Sequence, residues 1–129
     1  MVKVICKEDC GNAPKNLLLK ELITSIANGK ISKIVAQVSD DVVWNRVGVG
    51  KVEGIKAYAL ALDESFNDLH PEELVIDNIL THGNGAAANG TLTTTAGKSF
   101  AFCHVYFFKG ASTRSRVKEI TTYSIELKQ

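Results

Sequence analysis

The segment AFCHVYFF, residues 101–108, contains the side chain of this sequence that is best suited to chemistry. Successive residues of a β-strand point to opposite faces of the sheet, so Phe102, His104 and Tyr106 share one face. A histidine surrounded by apolar side chains stays neutral, because burial disfavours the charged ring. Neutral His104 could act as an acid or base, could bond a ligand, or could be a core residue satisfied by a carbonyl or a threonine.

Arg46, at the end of the run VVWNR, is the second candidate. An inward guanidinium needs a partner, because an isolated buried charge is strongly disfavoured. An anionic ligand could supply that partner through two parallel hydrogen bonds. Asp77 or Glu119 could do so equally, or the head group could reach solvent.

Cys6 and Cys10 raise the question of a metal site shared with Cys103, His104 or His82. Their C-x3-C spacing suits no common zinc motif, so we predict no metal. The run GVGKVEG, residues 48–54, is one residue longer than a dinucleotide fingerprint, and no parallel strand follows the next helix. We therefore expect no cofactor.

Composition narrows the class of protein. The chain has 129 residues, of which 45% are hydrophobic and 22% charged, and a net charge of +1. This balance argues against sequence-independent nucleic-acid binding, which needs a basic face. No apolar run approaches the roughly 18 residues that span a bilayer, and the N-terminus has no signal-peptide core. An odd number of cysteines, three, favours free thiols in a reducing compartment, so we predict a cytoplasmic protein without membrane contact.

Helical periodicity predicts three helices in the first half of the chain. The first is capped by Asn12, begins near Pro14 and ends before Gly29. The second covers about residues 31–38 and the third about residues 52–66.

Strands dominate the rest of the chain. A short strand, VVWNR, precedes the third helix, and everything after Pro71 reads as four antiparallel strands. Their sequences are EELVIDNILT, GAAANGTLTTT, SFAFCHVYFFK and RVKEITTYSIEL. Helices followed by such a sheet indicate an α+β fold. We predict a single domain over residues 1–129, with residues 1–9 as a loose N-terminal arm.

One pattern spans nearly the whole chain: Asn28-Gly29, the run SDDVVW at 39–44, Gly54 and the helix after it, in the order helix, helix, strand, helix, sheet. It resembles the nuclear transport factor 2-like superfamily and, within it, the SnoaL-like domains. A group of small bacterial members has similar sequence segments at CGNAPKN, THGNGAAANG, AFCHVYFF and TYSIEL. The resemblance implies a cystatin-like cone, in which three N-terminal helices pack on a curved, mainly antiparallel sheet that encloses a pocket.

The resemblance also implies which residues face that pocket. Laid over family members, the pocket positions fall on Trp44, Arg46, Thr91, Thr93, His104 and Thr122. Alternation adds Phe102 and Tyr106, and Tyr58 is expected in the wall. A shift of one residue in the last strand would place Tyr123 in the pocket instead of Thr122.

The outer face of the same strand carries Ala101, Cys103, Val105 and Phe107. Family members commonly dimerise through this face of the sheet. An exposed apolar stripe is costly in a soluble monomer, so we predict a homodimer.

Known enzymes of the superfamily give no ready mechanism for this chain. The general-base aspartate of the ketosteroid isomerases falls on Arg46 or Asn45, their tyrosine on Leu22, and their protonated aspartate on His104. The Asp-Arg-Asp set of the limonene epoxide hydrolases falls on Thr91, Thr93 and Thr122. Of the histidine and aspartate that SnoaL-type polyketide cyclases use, His104 could replace only the histidine.

The sequence therefore predicts a protein that binds a small, partly apolar molecule in its cone, with an anionic group as one option. Two alternatives stay open. One is an isomerase, cyclase or hydratase that uses His104 as acid or base, and the other is a protein-interaction module without a small ligand.

Overall fold

The computed structural model describes residues 2–6, 14–110, 112 and 114–128. These residues form three helices and seven strands. The helices are α1 (Pro14–Ala27), α2 (Ile31–Val35) and α3 (Ile55–Leu69). The strands are β1 (Lys3–Cys6), β2 (Val38–Arg46), β3 (Gly50–Glu53), β4 (Pro71–His82), β5 (Gly85–Thr94), β6 (Ser99–Phe108) and β7 (Val117–Glu126).

All seven strands belong to one sheet with the order β1-β4-β5-β6-β7-β2-β3. The four long strands β4 to β7 pair antiparallel, as their alternating sequences predict. Two pairs are parallel, β1 with β4 and β2 with β7. The fold is therefore an α+β arrangement with a mainly antiparallel sheet, as expected.

The helices cover the inner face of the sheet. Helix α1 packs on β4, and α3 packs on β2. The core between them contains fully buried aliphatic side chains such as Leu19, Ile34 and Ile76. Gly29 follows α1 with a φ of +66°, the left-handed conformation that ends helices and that glycine adopts at least cost.

The structure corrects several predicted boundaries. Lys3–Cys6 is a strand paired with β4, so the loose-arm prediction is wrong for these residues. The third helix begins at Ile55 rather than near residue 52, because Gly50–Glu53 forms β3 against β2. The second helix ends at Val35, and β2 begins at Val38.

Cys6 is disulfide-bonded, whereas Cys103 is free. The expectation of free thiols therefore holds for Cys103 and is wrong for Cys6. Asn12 and Cys10, the predicted cap and the second cysteine of the C-x3-C motif, lie outside the described residues. No helix within the described part of the chain is both long and apolar enough to span a bilayer.

Candidate functional site

A cavity of about 310 Å³ lies between the inner face of the sheet and helices α1 and α3. This volume falls at the small end of the range for small-molecule sites. Its walls are mostly apolar and include Ile23 of α1, Leu62 of α3 and Leu92 of β5. Val47 and Val49, at the turn between β2 and β3, also border it and are exposed.

Three polar residues form a row across the sheet at this cavity. In the strand register Arg46 of β2 is the partner of Thr122 of β7, and Thr122 is the partner of His104 of β6. All three side chains line the cavity. Neighbouring strands are about 4.8 Å apart, so the backbones of Arg46 and His104 are separated by roughly 10 Å with Thr122 between them.

The hydroxyl of Thr122 connects two aromatic side chains. The indole Nε1–H of Trp44 donates to Thr122 Oγ1 at 2.9 Å. The Nδ1 atom of His104 lies 2.8 Å from the same oxygen. Trp44 also meets Tyr58 edge-to-face, with ring centroids 5.4 Å apart, which fixes the indole between the sheet and α3.

His104 is held between two aromatic rings of its own strand. Phe102 stacks on it at 5.0 Å, and Tyr106 lies 5.9 Å away in a tilted arrangement. Burial among these groups lowers the pKa of His104 to about 4, because the enclosed site disfavours the charged ring. The imidazole is therefore neutral at physiological pH, as the sequence predicts.

Arg46 carries the positive charge of the cavity wall. Its guanidinium lies over the Trp44 ring, 5.0 Å from the centroid. It forms no ion pair with any acid of the described residues, Asp77 and Glu119 included, and its Nε is buried without a hydrogen-bond partner. Neither internal partner that the sequence suggested for Arg46 is therefore used.

The structure brings most of the predicted pocket residues together. Trp44, Arg46, Tyr58, Phe102, His104, Tyr106 and Thr122 all line the cavity. Thr122 rather than Tyr123 faces inward, so the alternative register of the last strand is wrong.

Thr91 and Thr93 do not line the cavity, and their predicted place in the pocket is wrong. Thr91 pairs with Ala101, and residues directly opposite each other in a ladder share a face, so both lie on the outer side. Thr93 bonds to Ser99 across the same ladder at 3.0 Å. The inward residue of this part of β5 is Leu92.

Sequence reasoning missed the cavity residues contributed by α1 and by the β2–β3 turn. The stripe Leu18, Leu22 and Ile26 marks the buried side of α1, but the pattern does not separate packed side chains from those that face empty volume. Val49 lies between two glycines and is 74% exposed. Its sequence context does not mark it as a cavity residue, because single exposed apolar side chains are common on protein surfaces.

The outer face of the sheet carries exposed apolar side chains. Phe107 is 42% exposed, Tyr123 48% and Ile125 68%. Cys103 lies opposite Tyr123, and Ala101 opposite Ile125, so these residues form a continuous surface over β6 and β7. No three His, Cys, Asp or Glu side chains in the described ranges are placed to hold a metal ion.

Residues 19–114 match the family model of the SnoaL-like domain. No curated protein matches the chain.

Several solved structures share the fold. A nuclear transport factor 2-like protein of unknown function from Burkholderia xenovorans LB400 is similar with a TM-score of 0.75 and 14% identity over 90% of this chain and 86% of the other. A protein with a cystatin-like fold from Methylobium petroleophilum PM1 has a TM-score of 0.74 and 14% identity over 92% of this chain and 80% of the other. A candidate SnoaL-like polyketide cyclase from Shewanella denitrificans OS-217 has a TM-score of 0.70 and 14% identity over 89% of this chain and 92% of the other.

Proposed function

The chain belongs to the SnoaL-like domain family of the nuclear transport factor 2-like superfamily, and we propose that it binds a small, partly apolar molecule in its cavity. The observation that carries this proposal is the cavity itself, about 310 Å³ of open volume with an apolar wall and a row of polar groups at one side. An apolar wall holds the body of a ligand, while a few fixed polar groups set its orientation.

The cavity favours a ligand over a mere packing defect. Tyr58 and Leu62 of α3 are nearly fully buried, yet the space between them and the sheet is not closed by side chains. Protein interiors pack densely, and voids larger than a water molecule are few. Ligand binding explains a void of this size beside a guanidinium that has no acid partner among the described residues.

Two alternatives fit the cavity less well. A protein-interaction module needs no internal volume and would gain stability by filling it. A cyclase or isomerase that moves protons would be helped by a carboxylate, but no Asp or Glu of the described residues lines the cavity. The similarity to a candidate polyketide cyclase is a similarity of fold at 14% identity.

We also propose that the protein is a homodimer through the outer sheet face. The exposed side chains of Phe107, Tyr123 and Ile125 lie together on one surface, and burial against a second copy would remove them from water. A face-to-face arrangement of two sheets would satisfy two-fold symmetry with one self-complementary patch.

A thermal-shift screen tests ligand binding. The panel contains benzoate, cyclohexanecarboxylate and 2-naphthoate, with 2-naphthalenemethanol and cyclohexanol as neutral members. A ligand at a hundred times its dissociation constant adds about 2.7 kcal/mol, which raises the melting temperature by roughly 8 °C in a domain of this size.

The variant Leu92→Trp is designed to fill the cavity and should abolish the shift. Leu60→Trp is the matched control, because Leu60 lies on α3 with 66% of its surface exposed. If no member of the panel shifts the wild-type protein, or if Leu92→Trp responds like the wild type, binding in this cavity is wrong.

A further inference from the structure

The protons of the Trp44–Thr122–His104 contact can be assigned. Indole Nε1–H can only donate, so it occupies one lone pair of Thr122 Oγ1. The hydroxyl then has one proton to give and one lone pair left. The 2.8 Å contact with His104 Nδ1 uses one of these two capacities.

Only one assignment gives all three groups of this contact a partner among the described residues. If Nδ1–H donated to Thr122, the hydroxyl proton would need a further acceptor, and Oγ1 has no other hydrogen-bond contact among the described residues. If the hydroxyl donates to Nδ1, all three groups are bonded. Buried polar groups are rarely left unsatisfied, so Nδ1 accepts and the ring proton resides on Nε2, where an acceptor in the open volume can bond to it.

The proton on Nε2 is available to the cavity. Nε2 has no hydrogen-bond partner within the described part of the chain, and His104 lines the open volume. The flanking rings of Phe102 and Tyr106 prevent the imidazole from turning freely. His104 therefore presents an N–H donor to the cavity and not a free lone pair.

Arg46 supplies further donors on the other side of Thr122. A guanidinium has only donors, and this one has no acid partner among the described residues. The described lining contains no Asp or Glu, so no acceptor charge balances it. A ligand that lies over Thr122 meets N–H groups from Arg46 and from His104.

We propose that this row is a carboxylate site, in which one ligand oxygen accepts from the Arg46 guanidinium and the other from Nε2–H of His104. The inference rests on the proposed function and names its ligand class, a monocarboxylate on an apolar body of one or two rings. The body occupies the apolar volume toward Leu62 and Leu92. His104 then orients a ligand and does not abstract a proton from it.

The tautomer is tested without a ligand. Long-range ¹H–¹⁵N correlation spectra separate the two neutral forms of histidine, and His104 is assigned by comparison with His104→Gln among the three histidines of the chain. We expect the Nε2–H form at pH 7. The Nδ1–H form would overturn the proposal, since Nε2 would then be an acceptor.

The ligand class is tested by calorimetric titration with 2-naphthoate, 2-naphthalenemethanol and 2-naphthylmethylamine, which share one apolar body. We expect 2-naphthoate to bind at least tenfold more tightly than the other two. Arg46→Met and His104→Phe should each weaken 2-naphthoate by roughly ten- to a hundredfold and leave 2-naphthalenemethanol nearly unchanged. Arg116→Met, at an exposed arginine outside the cavity, is the control and should bind like the wild type.

The outcomes separate this inference from the proposed function. Equal binding of the three naphthalene probes would preserve a binding cavity and overturn the carboxylate site. Binding of none of the probes would overturn both. Circular dichroism of Arg46→Met and His104→Phe verifies that each variant folds, and the spectra of wild-type His104 test the donor assignment even if a variant does not.

Discussion

Trp44 and His104 are joined through one oxygen atom, Oγ1 of Thr122, at distances of 2.9 Å and 2.8 Å. The three residues belong to three adjacent strands, β2, β7 and β6. The position of the shared oxygen therefore depends on the strand register, because a shift of one residue in β7 that brought Tyr123 to this place would replace the threonine hydroxyl by a phenol ring.

Thr122→Val should reveal the importance of this oxygen. Valine has nearly the shape of threonine but leaves the indole N–H and the imidazole without a partner. An unsatisfied buried group costs about 1–3 kcal/mol, so we expect the free energy of unfolding to fall by about 2–4 kcal/mol. Thr122→Ser keeps the hydroxyl and should lose less than half as much in urea titrations followed by Trp44 fluorescence.

Thr121→Val is the control for β-strand propensity, because Thr121 pairs with Val105 on the outer side. We expect a change within about 0.5 kcal/mol. Equal losses for Thr121→Val and Thr122→Val would show that the shared oxygen contributes nothing particular.

The lowered pKa of His104 makes stability depend on pH. The folded pKa is about 4 and the unfolded value about 6.5, so between these values the unfolded chain binds more protons. The stability that the neutral His104 contributes is therefore fully present above about pH 6.5 and is lost as the pH falls toward 4. Burial raises the pKa of Tyr58 and Tyr106, so neither titrates in this window.

Between pH 7.5 and 4.5 we expect the free energy of unfolding to fall by about 2–3 kcal/mol more in the wild type than in His104→Gln. Protonation of carboxylates lowers it in both proteins and cancels in the comparison. Denaturant titrations at several pH values measure this difference. Parallel stability curves for the two proteins would show that His104 is charged or solvated in the folded state.

The four long strands were predictable because each has more than eight residues of suitable composition between turn residues. The short strands β1 and β3 were not predictable. Lys3–Cys6 and Gly50–Glu53 have four residues each, and what makes them strands is pairing with β4 and β2, which are distant in sequence or separated by a tight turn.

The candidate site was predictable to the extent that alternation determines a face. Phe102, His104 and Tyr106 follow from the strongly apolar β6. The face of β5 does not follow from its sequence, since GAAANGTLTT has little contrast between its two sides. Thr91 falls outside the cavity because it pairs with Ala101 on the outer side, and the irregularity between Ile76 and Asn78 lies in the neighbouring strand β4.

Gly90 lies at that irregularity and should tolerate no side chain. A Cβ atom at this position would overlap the carbonyl oxygen of Val75 in the neighbouring strand. Gly90→Ala must therefore separate β4 from β5, and we expect a loss of at least about 3 kcal/mol or a failure to fold. At Gly85, in the same strand, an added Cβ atom would lie 3.5 Å from the nearest ring atom of Phe107, so Gly85→Ala should change the free energy of unfolding little. Thermal unfolding of both variants decides, and similar melting temperatures would contradict the argument.

Lys15 should contribute to stability although it has no acid partner among the described residues. Its buried ammonium donates to the carbonyl oxygens of Gly83 at 2.8 Å and Gly110 at 3.3 Å and lies 4.5 Å from the centroid of the Phe108 ring. Lys15→Met keeps the aliphatic stem and removes these contacts, so we expect a loss of about 1–3 kcal/mol. Lys20→Met, at an exposed position of the same helix, should stay within about 0.5 kcal/mol in the same urea titration. A loss for Lys20→Met equal to that for Lys15→Met would assign the effect to helix α1 in general.

The proposed homodimer is tested by a charge in the outer face. Ile125 is 68% exposed beside Ala101 and close to Tyr123, so a carboxylate there would be buried without a partner if two sheets pack together. We expect the wild type to sediment at about twice the chain mass of 14.0 kDa and Ile125→Glu to sediment as a monomer at the same concentration.

Leu60→Glu introduces the same charge at an equally exposed position on α3 and should leave the mass of the dimer unchanged. A far-ultraviolet circular dichroism spectrum of Ile125→Glu should match that of the wild type, because a residue so exposed contributes little to the core of the subunit. If the wild type sediments as a monomer, or if Leu60→Glu and not Ile125→Glu dissociates it, the outer sheet face is not the interface. Retention of ligand binding by a monomeric Ile125→Glu would further show that the cavity is complete within one subunit.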